Sequence, residues 1–491
     1  MIRLGMLTGM LLAFLTTSAY DFEVDGIFYN FVSASDLTCK VTAGDDTDKY
    51  GGDIIIPSKV KFQNKELSVV EVGDKCFERC TDLTSVQIPS SVTRLGSMSF
   101  YGCTGLTSIQ RPSSVTSLGD NCFSFCKRLT SVQIPSSVNK LGYYCFSDCS
   151  GLTSVQISSS ITEIPDGCFA QCGNLVSVQI PSSVTTLDNS CFYRCGNLVS
   201  VQIPSSVKSI GKSCFSYCYE LTSIYLPSSV KSMGTECFED CSKLSSVVSN
   251  VEYIPESAFS GTSIVDLKIG EGTKLICVSS GRAEYPTFPK GIKKIEFEEQ
   301  EDEISIGYYD RYGAFTLDPD PDLARYGFFK ETWAEDLEIL FLGTTLKGIP
   351  LICPNLKELT IGAKVDRLGL GSNNGYTSTT YETLDLGYFS QLVTLKSLNP
   401  IPPNIGKPTQ MQYVNLEVEV PEEALEAYKS DPVWGSFWNL KGVSGTKTVS
   451  STPEREVTGY YDLSGRQVDE TFSGMVIVRF SDGSAKKMMW R

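Results

Sequence analysis

From Cys76 onward, apolar residues return in one fixed order: Cys76, Phe77, Cys80, Leu83, Val86, Ile88, Val92 and Leu95, with polar or turn-forming residues between them. The order restarts every 23 residues. Cys76 and Cys80 recur as Cys122 and Cys126, Cys145 and Cys149, Cys168 and Cys172, Cys191 and Cys195, Cys214 and Cys218, and Cys237 and Cys241. The step missing from that series is Ser99-Phe100-Tyr101-Gly102-Cys103, so eight copies follow one another without insertion or deletion. A fixed period of this length marks stacked coils, each a unit that cannot bury its apolar side alone.

Within one copy, Leu83-x-x-Val86-x-Ile88 alternates with period two, which predicts a short strand with Val and Ile turned inward. Stacked at about 4.8 Å, the copies predict a parallel sheet about 40 Å long. The stretch Gly-x-x-Cys-Phe-x-x-Cys spaces its apolar residues at i and i+4 and predicts a helical turn on the opposite side. Turns are expected at Pro89-Ser90-Ser91 and Gly96. Stacking supplies the stability, at about 1.5 to 3 kcal/mol for each covered Phe, Leu or Val.

The ends of the array need covers. Residues 20–72, with Ile54-Ile55-Ile56-Pro57 and Val69-Val70-Glu71-Val72, are expected to form an N-terminal strand cap. Residues 73–270 hold the regular repeats, the last, Ile254 to Phe259, being two residues short. Over 271–443 the period fades, yet Leu337 to Leu342 and Leu356 to Ile361 still alternate, predicting a degenerate continuation. Pro421 to Lys429 predicts a short amphipathic capping helix, stopped at Asp431-Pro432. Residues 444–457 are expected to be a linker, and 458–491 a small β module with strands around 460–468 and 474–479 and a hairpin closed by Ser481 to Ser484.

Composition narrows the function. A chain of 491 residues exceeds the usual size of a single core, and the repeats resolve this as an elongated array. A net charge of -15 argues against nucleic acid and anionic membrane surfaces, which need a basic footprint. The chain has no histidine, which removes Ser/His/Asp and Cys/His nucleophile pairs and imidazole metal ligands. At the N-terminus, Arg3, the apolar run Leu4 to Leu15 and the small residues Thr17-Ser18-Ala19 predict a signal peptide over 1–19, so the mature chain is expected to be secreted or held at the outer cell surface. An uncleaved anchor is the alternative. No membrane span is expected after its removal.

The series Gly-x-x-Cys-Phe-x-x-Cys-x-x-Leu-x-Ser-Val-x-Ile-Pro-Ser-Ser-Val closely resembles the BspA-like leucine-rich-repeat family, with cysteine where alanine usually precedes the phenylalanine. The resemblance spans roughly residues 20–445 and includes the terminal pattern Leu395 to Pro403 followed by Val418 to Pro421. It implies an α/β repeat, a leucine-rich-repeat solenoid with a parallel sheet on one face and short helical turns on the other, plus the small C-terminal β module. It also implies export or surface display and adhesion to host proteins or other cells. The tail from 458 resembles Por-type C-terminal sorting domains; a plain β end module is the other reading.

The paired cysteines have several uses open to them. Buried packing as free thiols is preferred, because an i, i+4 pair directs its Cβ vectors poorly for a bond within one coil. Disulfides between neighbouring coils remain open in an oxidising compartment. Metal or redox use is disfavoured by the absence of closer Cys-x-x-Cys knuckles. No metal site, cofactor or catalytic residue is expected.

The outward strand positions are the candidate ligand-binding residues: Ser85, Gln87, Gln110, Gln133, Gln156, Gln179, Gln202 and Tyr225. The serine row continues through Ser108, Ser131, Ser154, Ser177, Ser200 and Ser223. Stacked amides can bond to one another along a ladder, which is the structural alternative. Arg111 departs from the inward pattern and is expected to snorkel. Of the acidic runs Asp45-Asp46-Thr47-Asp48, Glu296 to Glu303 and Asp318 to Asp322, calcium is conceivable at the third, but that run lacks the glycine and distal glutamate of an EF-hand loop and is expected to be a solvated acidic loop.

These features favour a binding protein, not an enzyme, that recognises host proteins, glycans or other cells through the concave face of the solenoid. The alternatives are a secreted carboxylate-dependent glycosidase acting in the irregular region, and a passive structural surface layer. Oligomeric state is left open.

Overall fold

The structure is a computed structural model. The structure describes residues 19–45, 50–110, 113–255, 257–270, 272–277, 291–300, 302, 304–309, 315–316, 336–344, 346–348, 353, 355–365, 386, 389–406 and 408–444, together with the strand backbones at 457–462, 467–468, 474–480 and 485–490.

Each coil has a front strand, a side strand and a run of turns around one apolar interior. On the front, Ser131–Gln133, Ser154–Gln156, Ser177–Gln179 and Ser200–Gln202 pair in parallel with Ser on Ser, Val on Val and Gln on Gln. The valines point inward and are buried, while the flanking Ser and Gln are exposed. That is the period-two pattern expected of a half-buried strand. Earlier coils contribute Leu83–Gln87 and Ser108–Gln110 to the same arrangement. From Ser223–Leu226 a nine-stranded parallel sheet continues through Lys294–Phe297, Ile339–Leu342, Glu358–Ile361 and Glu417–Pro421 to Asn439–Val443. The leucines of the faded region, Leu340, Leu359 and Leu395, occupy the buried places that Val holds in the regular coils.

The side ladder is built from shorter strands, among them Arg94–Leu95, Ser117–Leu118, Glu163–Ile164, Thr186–Leu187, Ser209–Ile210 and Ser232–Met233. Its inward residues, such as Leu95, Ile164 and Leu187, are fully buried.

The third side corrects the helical turn expected from the i, i+4 spacing. No coil contains a helix there among the described residues; each carries tandem turns. Cys76 N–H donates to Gly73 O, Glu78 N–H to Lys75 O and Cys80 N–H to Phe77 O, whereas the intervening N–H groups of Lys75, Phe77 and Arg79 donate to Ser97, Tyr101 and Ser99 carbonyls of the next coil in the pairs Lys75 to Ser97, Phe77 to Ser99 and Arg79 to Tyr101. The reason is conformational. The residue before each cysteine position has positive φ, as at Lys75 (56°), Arg79 (57°), Tyr144 (54°), Asp148 (56°), Ser190 (55°) and Arg194 (57°). Left-handed residues end a right-handed helix and suit the third position of a tight turn. Every second N–H is thereby freed to bond between coils.

The interior is organised by a column of phenylalanines. Phe77, Phe100, Phe123, Phe146, Phe169, Phe192, Phe215, Phe238 and Phe259 stack with centroids 5.0 to 5.7 Å apart and planes within 15° of parallel. Near-parallel rings at that separation are offset, the arrangement that ring quadrupoles favour. Tyr50 closes the N-terminal end of the column, 4.8 Å from Phe77. Its hydroxyl donates to Thr42 O at 2.9 Å and accepts from Phe28 N–H at 3.0 Å, so it is buried with both capacities used.

The N-terminal strands lie over the first coil as a cover. Gly52–Ile55 pairs in parallel with Leu83–Gln87, and Lys65–Val72 with Arg94–Leu95. At the other end, Leu425–Ser430 forms the expected short helix, preceded by a 3-10 turn at Glu422–Ala424. The helix is not the last element of the cover. A further strand, Asn439–Val443, pairs with Glu417–Pro421, and another helix, Gln410–Asn415, opens on a Thr409 capping box. Buried Trp434 and Tyr428 pin this end through Trp434 Nε1–H to Pro403 O and Tyr428 OH to Asn399 O, both at 2.9 Å. In the C-terminal segment the backbone forms four antiparallel strands, Val457–Asp462, Gln467–Val468, Gly474–Phe480 and Ala485–Trp490.

Candidate functional site

The front ladder brings the candidate binding residues into one exposed surface. Gln87, Gln133, Gln156, Gln179 and Gln202 are exposed at matching positions, and the register places Gln133, Gln156, Gln179 and Gln202 one above another from coil to coil. Among the described residues the side-chain amides of Gln156, Gln179 and Gln202 form no hydrogen bond with one another, so an amide ladder is absent at those three places, whereas Gln133 in the same row has a partner. Gln110 lies on the strand Ser108–Gln110, with its side chain outside the described residues, as is Arg111.

Two members differ from the rest. Ser85 is occupied: its hydroxyl and that of Thr84 donate to Asp53 Oδ1 at 2.6 and 2.7 Å. These two bonds hold the Asp53 carboxyl below the ordinary range. Ser85 therefore ties the N-terminal cover to the front face. Tyr225, at the end of the glutamine row, is 55% exposed and its hydroxyl accepts from Asn250 Nδ2 at 3.0 Å. A rigidly held aromatic with a free ring face is the kind of group that anchors an interface.

Sequence reading missed the second half of this face. Lys268 extends between Glu296 and Glu298, at 3.5 and 2.5 Å, and all three are largely covered. Burial would lower the Lys268 pKa, but the two carboxylates raise it above the usual lysine range. Glu419 lies 3.2 Å from both Lys396 and Lys441. Partial burial raises the Glu419 carboxyl, and the two lysines outweigh it and hold it below its ordinary value. The alternation Asp266-x-Lys268 and Lys294-x-Glu296 was the available signal, hidden by the loss of the fixed period.

The cysteines belong to the interior. Every cysteine whose side chain is described is a buried free thiol. From the second coil onward, the second cysteine donates its S–H to the phenylalanine carbonyl of the preceding coil, as from Cys126 to Phe100 at 3.2 Å, Cys149 to Phe123 at 3.1 Å and Cys195 to Phe169 at 3.2 Å. Burial pushes the Cys149 thiol up to about 12 and those of Cys126 and Cys172 well above the usual thiol range. Such thiols are neither nucleophiles nor metal ligands at neutral pH. Among the described residues no group of three or more metal-capable side chains comes together, and no helix is long and apolar enough to cross a membrane.

Parallel strands in register, a stacked core and a fixed coil length define a leucine-rich-repeat solenoid. Residues 70–199 and 162–280 match the profile of the BspA type leucine rich repeat region, in 6 copies, and the array is of that type. No curated protein matches the chain. Among solved structures, it is similar to a leucine-rich repeat protein from Bacteroides ovatus, at 20% identity over 87% of this chain and 100% of that one, with a TM-score of 0.45. A leucine rich cell surface protein from Faecalibacterium prausnitzii matches at 24% identity over 67% of this chain and 94% of that one, with a TM-score of 0.37. The pneumococcal vaccine antigen PcpA matches at 18% identity over 86% of this chain and 96% of that one, with a TM-score of 0.39.

Proposed function

We propose that the protein is a secreted or cell-surface binding protein, adhesin-like, whose front ladder recognises a host extracellular protein, a glycan or another cell. The observation that carries this reading is the row Gln156, Gln179 and Gln202, exposed, in register and without hydrogen bonds between their amides, running to the exposed Tyr225. Amides spaced at a strand interval offer donors and acceptors to an extended ligand, and a repeat array supplies such a surface over many coils.

A glycosidase needs one carboxyl kept protonated beside one kept ionised. In the irregular region, where that alternative would act, the partly covered carboxylates Glu296, Glu298 and Glu419 are instead paired with lysines, which supports binding over catalysis there. The C-terminal strands are compatible with a sorting module. Removing residues 458–491 and locating the product in cells tests that part.

The test of the main reading is a binding screen of the chain against extracellular matrix proteins and glycans, with Tyr225→Ala and the pair Gln156→Ala and Gln179→Ala as variants. Loss of about tenfold in affinity, some 1.4 kcal/mol, is expected in each. Wild-type binding in both variants removes the front face from recognition. Undiminished attachment after deletion of residues 73–250 favours a passive layer instead.

A further inference from the structure

The side ladder is interrupted twice within the regular repeats, and one break, between Ser232–Met233 and Tyr253–Ile254, lies near their end. At the other, the ladder runs through Arg94–Leu95 and Ser117–Leu118, continues to the next coil only by a single Ser117 to Lys140 bridge, and restarts at Glu163–Ile164. At both breaks a proline, Pro165 or Pro255, follows the strand. In the paired coils the residue after the side strand donates its N–H to the strand one coil back, as from Gly96 to Val72 O (2.8 Å), Gly119 to Leu95 O (2.9 Å), Asp188 to Ile164 O (2.9 Å) and Gly211 to Leu187 O (2.7 Å). At the corresponding place stands Pro165, which has no N–H to give to Leu141.

A cleft of about 500 Å³ lies at this break, lined among others by Asp120, Asn139, Lys140, Tyr143, Thr162 and Glu163. Its volume falls within the range of small-ligand sites, roughly 300 to 1,000 Å³. The walls are fixed. Tyr143 N–H donates to Asp120 Oδ1 at 2.9 Å, and the adjacent Tyr144 ring lies over Gly167, where a Cβ would come within 2.1 Å of it.

We propose that this cleft is a carbohydrate-binding subsite for a short oligosaccharide without anionic groups. Two carboxylates, an amide, a hydroxyl and an ammonium surround one aromatic ring that is 54% exposed. A pyranose ring matches that set, because it carries hydroxyls around its rim and a patch of C–H groups on its face. The rim meets the donors and acceptors, and the face covers Tyr143. Charge selects among sugars. Asp120 and Glu163 face Lys140 alone within the lining, and Asp166 and Asp188 stand beside Glu163, so sialylated or sulfated sugars are repelled. The subsite is separate from the front face, and its success or failure is independent of Tyr225.

The experiment is saturation-transfer NMR and calorimetry on the full chain with maltotetraose, cellotetraose and tetra-N-acetylchitotetraose, and with sialyllactose as the anionic control. At least one neutral probe is expected to bind with a Kd of about 1 mM or below, weakened about tenfold in Tyr143→Ala. Pro165→Gly restores the missing donor and is expected to close the cleft with the same loss. Glycine stands at this place in other coils, so the fold tolerates it. Tyr219→Ala, which removes an exposed ring outside both the cleft and the front ladder, leaves sugar binding unchanged. The proposal is overturned by silence of all three neutral probes, by unaltered binding in Tyr143→Ala, by preference for sialyllactose, or by displacement of the bound sugar with a trilysine peptide, which would assign the cleft to basic protein segments.

Discussion

Cys172 donates its thiol hydrogen to the carbonyl of Phe146 at 3.2 Å, one coil and three residues earlier in the chain. The same bond recurs from Cys218 to Phe192 at 3.4 Å and from Cys241 to Phe215 at 3.1 Å. The phenylalanine carbonyl already accepts from a backbone N–H within its own coil, so the thiol uses its second lone pair. A cysteine here is both a small apolar filler and a donor between coils. Cys172→Val keeps the approximate volume and removes the donor, and is expected to destabilise by about 0.5 to 1.5 kcal/mol in urea unfolding. Cys172→Ala adds a small void and should lose about 1 kcal/mol more. Equal stability of the valine variant and the wild type would reduce the thiol to packing.

Burial also predicts chemical silence. Alkylation at pH 8 for a few minutes, mapped by mass spectrometry, should leave Cys126, Cys149, Cys172 and Cys195 unmodified in the folded protein and modify all four in guanidinium. Rapid labelling of any of them under native conditions would contradict the sealed interior.

The phenylalanine column predicts where the array is weakest when broken. Phe146→Ala removes a fully buried ring stacked on both sides and is expected to cost about 3 to 5 kcal/mol. Because each coil contacts only its neighbours, hydrogen exchange should rise first in the coils next to residue 146 and not uniformly. A uniform rise would mean that the array opens as a single unit.

Left-handed residues other than glycine hold strain of about 1 to 2 kcal/mol each. Lys75 is exposed, with φ of 56°. Lys75→Gly relieves that strain and gives back part of it through a freer unfolded chain, for a net gain of a few tenths to about 1 kcal/mol. The reverse change at Gly167, to alanine, drives a Cβ into the Tyr144 ring and should lower the melting temperature by several degrees, on the order of 2 to 4 °C per kcal/mol.

Partial burial, and then the neighbouring Glu163 and Asp166 carboxylates, push the Asp188 carboxyl up to about 6. Between the unfolded value and that one, the folded chain holds a proton that the unfolded chain has released. Stability from this group therefore falls as pH rises through about 4 to 6 and stays lower above it. Asp188→Asn should raise the stability at pH 7.5, by about 1 kcal/mol or less after solvent screening, and leave it unchanged at pH 3.5. A gain of equal size at both pH values would rule out the carboxylate repulsion.

The buried strand positions were legible because Val86, Val132 and Val155 repeat with a period that only stacked strands satisfy. The turn side was not, since apolar residues at i and i+4 fit one helical turn and two tandem turns alike. What separates them is φ before each cysteine. Those places hold Lys75, Arg79, Tyr144, Asp148 and Arg194, which share no chemistry; only Gly102, Gly167 and Gly261 betray the conformation. The front row of serines and glutamines was readable from its spacing. Its use by the N-terminal cover at Ser85 was not, because Asp53 approaches from outside the repeat. The ion pairs around Lys268 and Glu419 likewise depend on strands whose spacing in the chain is irregular.

The backbone bonds that the phenylalanine turns send between coils all point the same way, from Phe77 to Ser99, Phe123 to Cys145 and Phe192 to Cys214. Each coil is thus a donor to its successor and an acceptor from its predecessor, like a link with unlike ends. A whole extra coil would find both kinds of partner waiting, whereas one extra residue would misalign every contact on its own turn. Genetic duplication or loss of a complete unit is therefore the mildest large change open to this molecule, and variation in reach among its kin should come in whole coils.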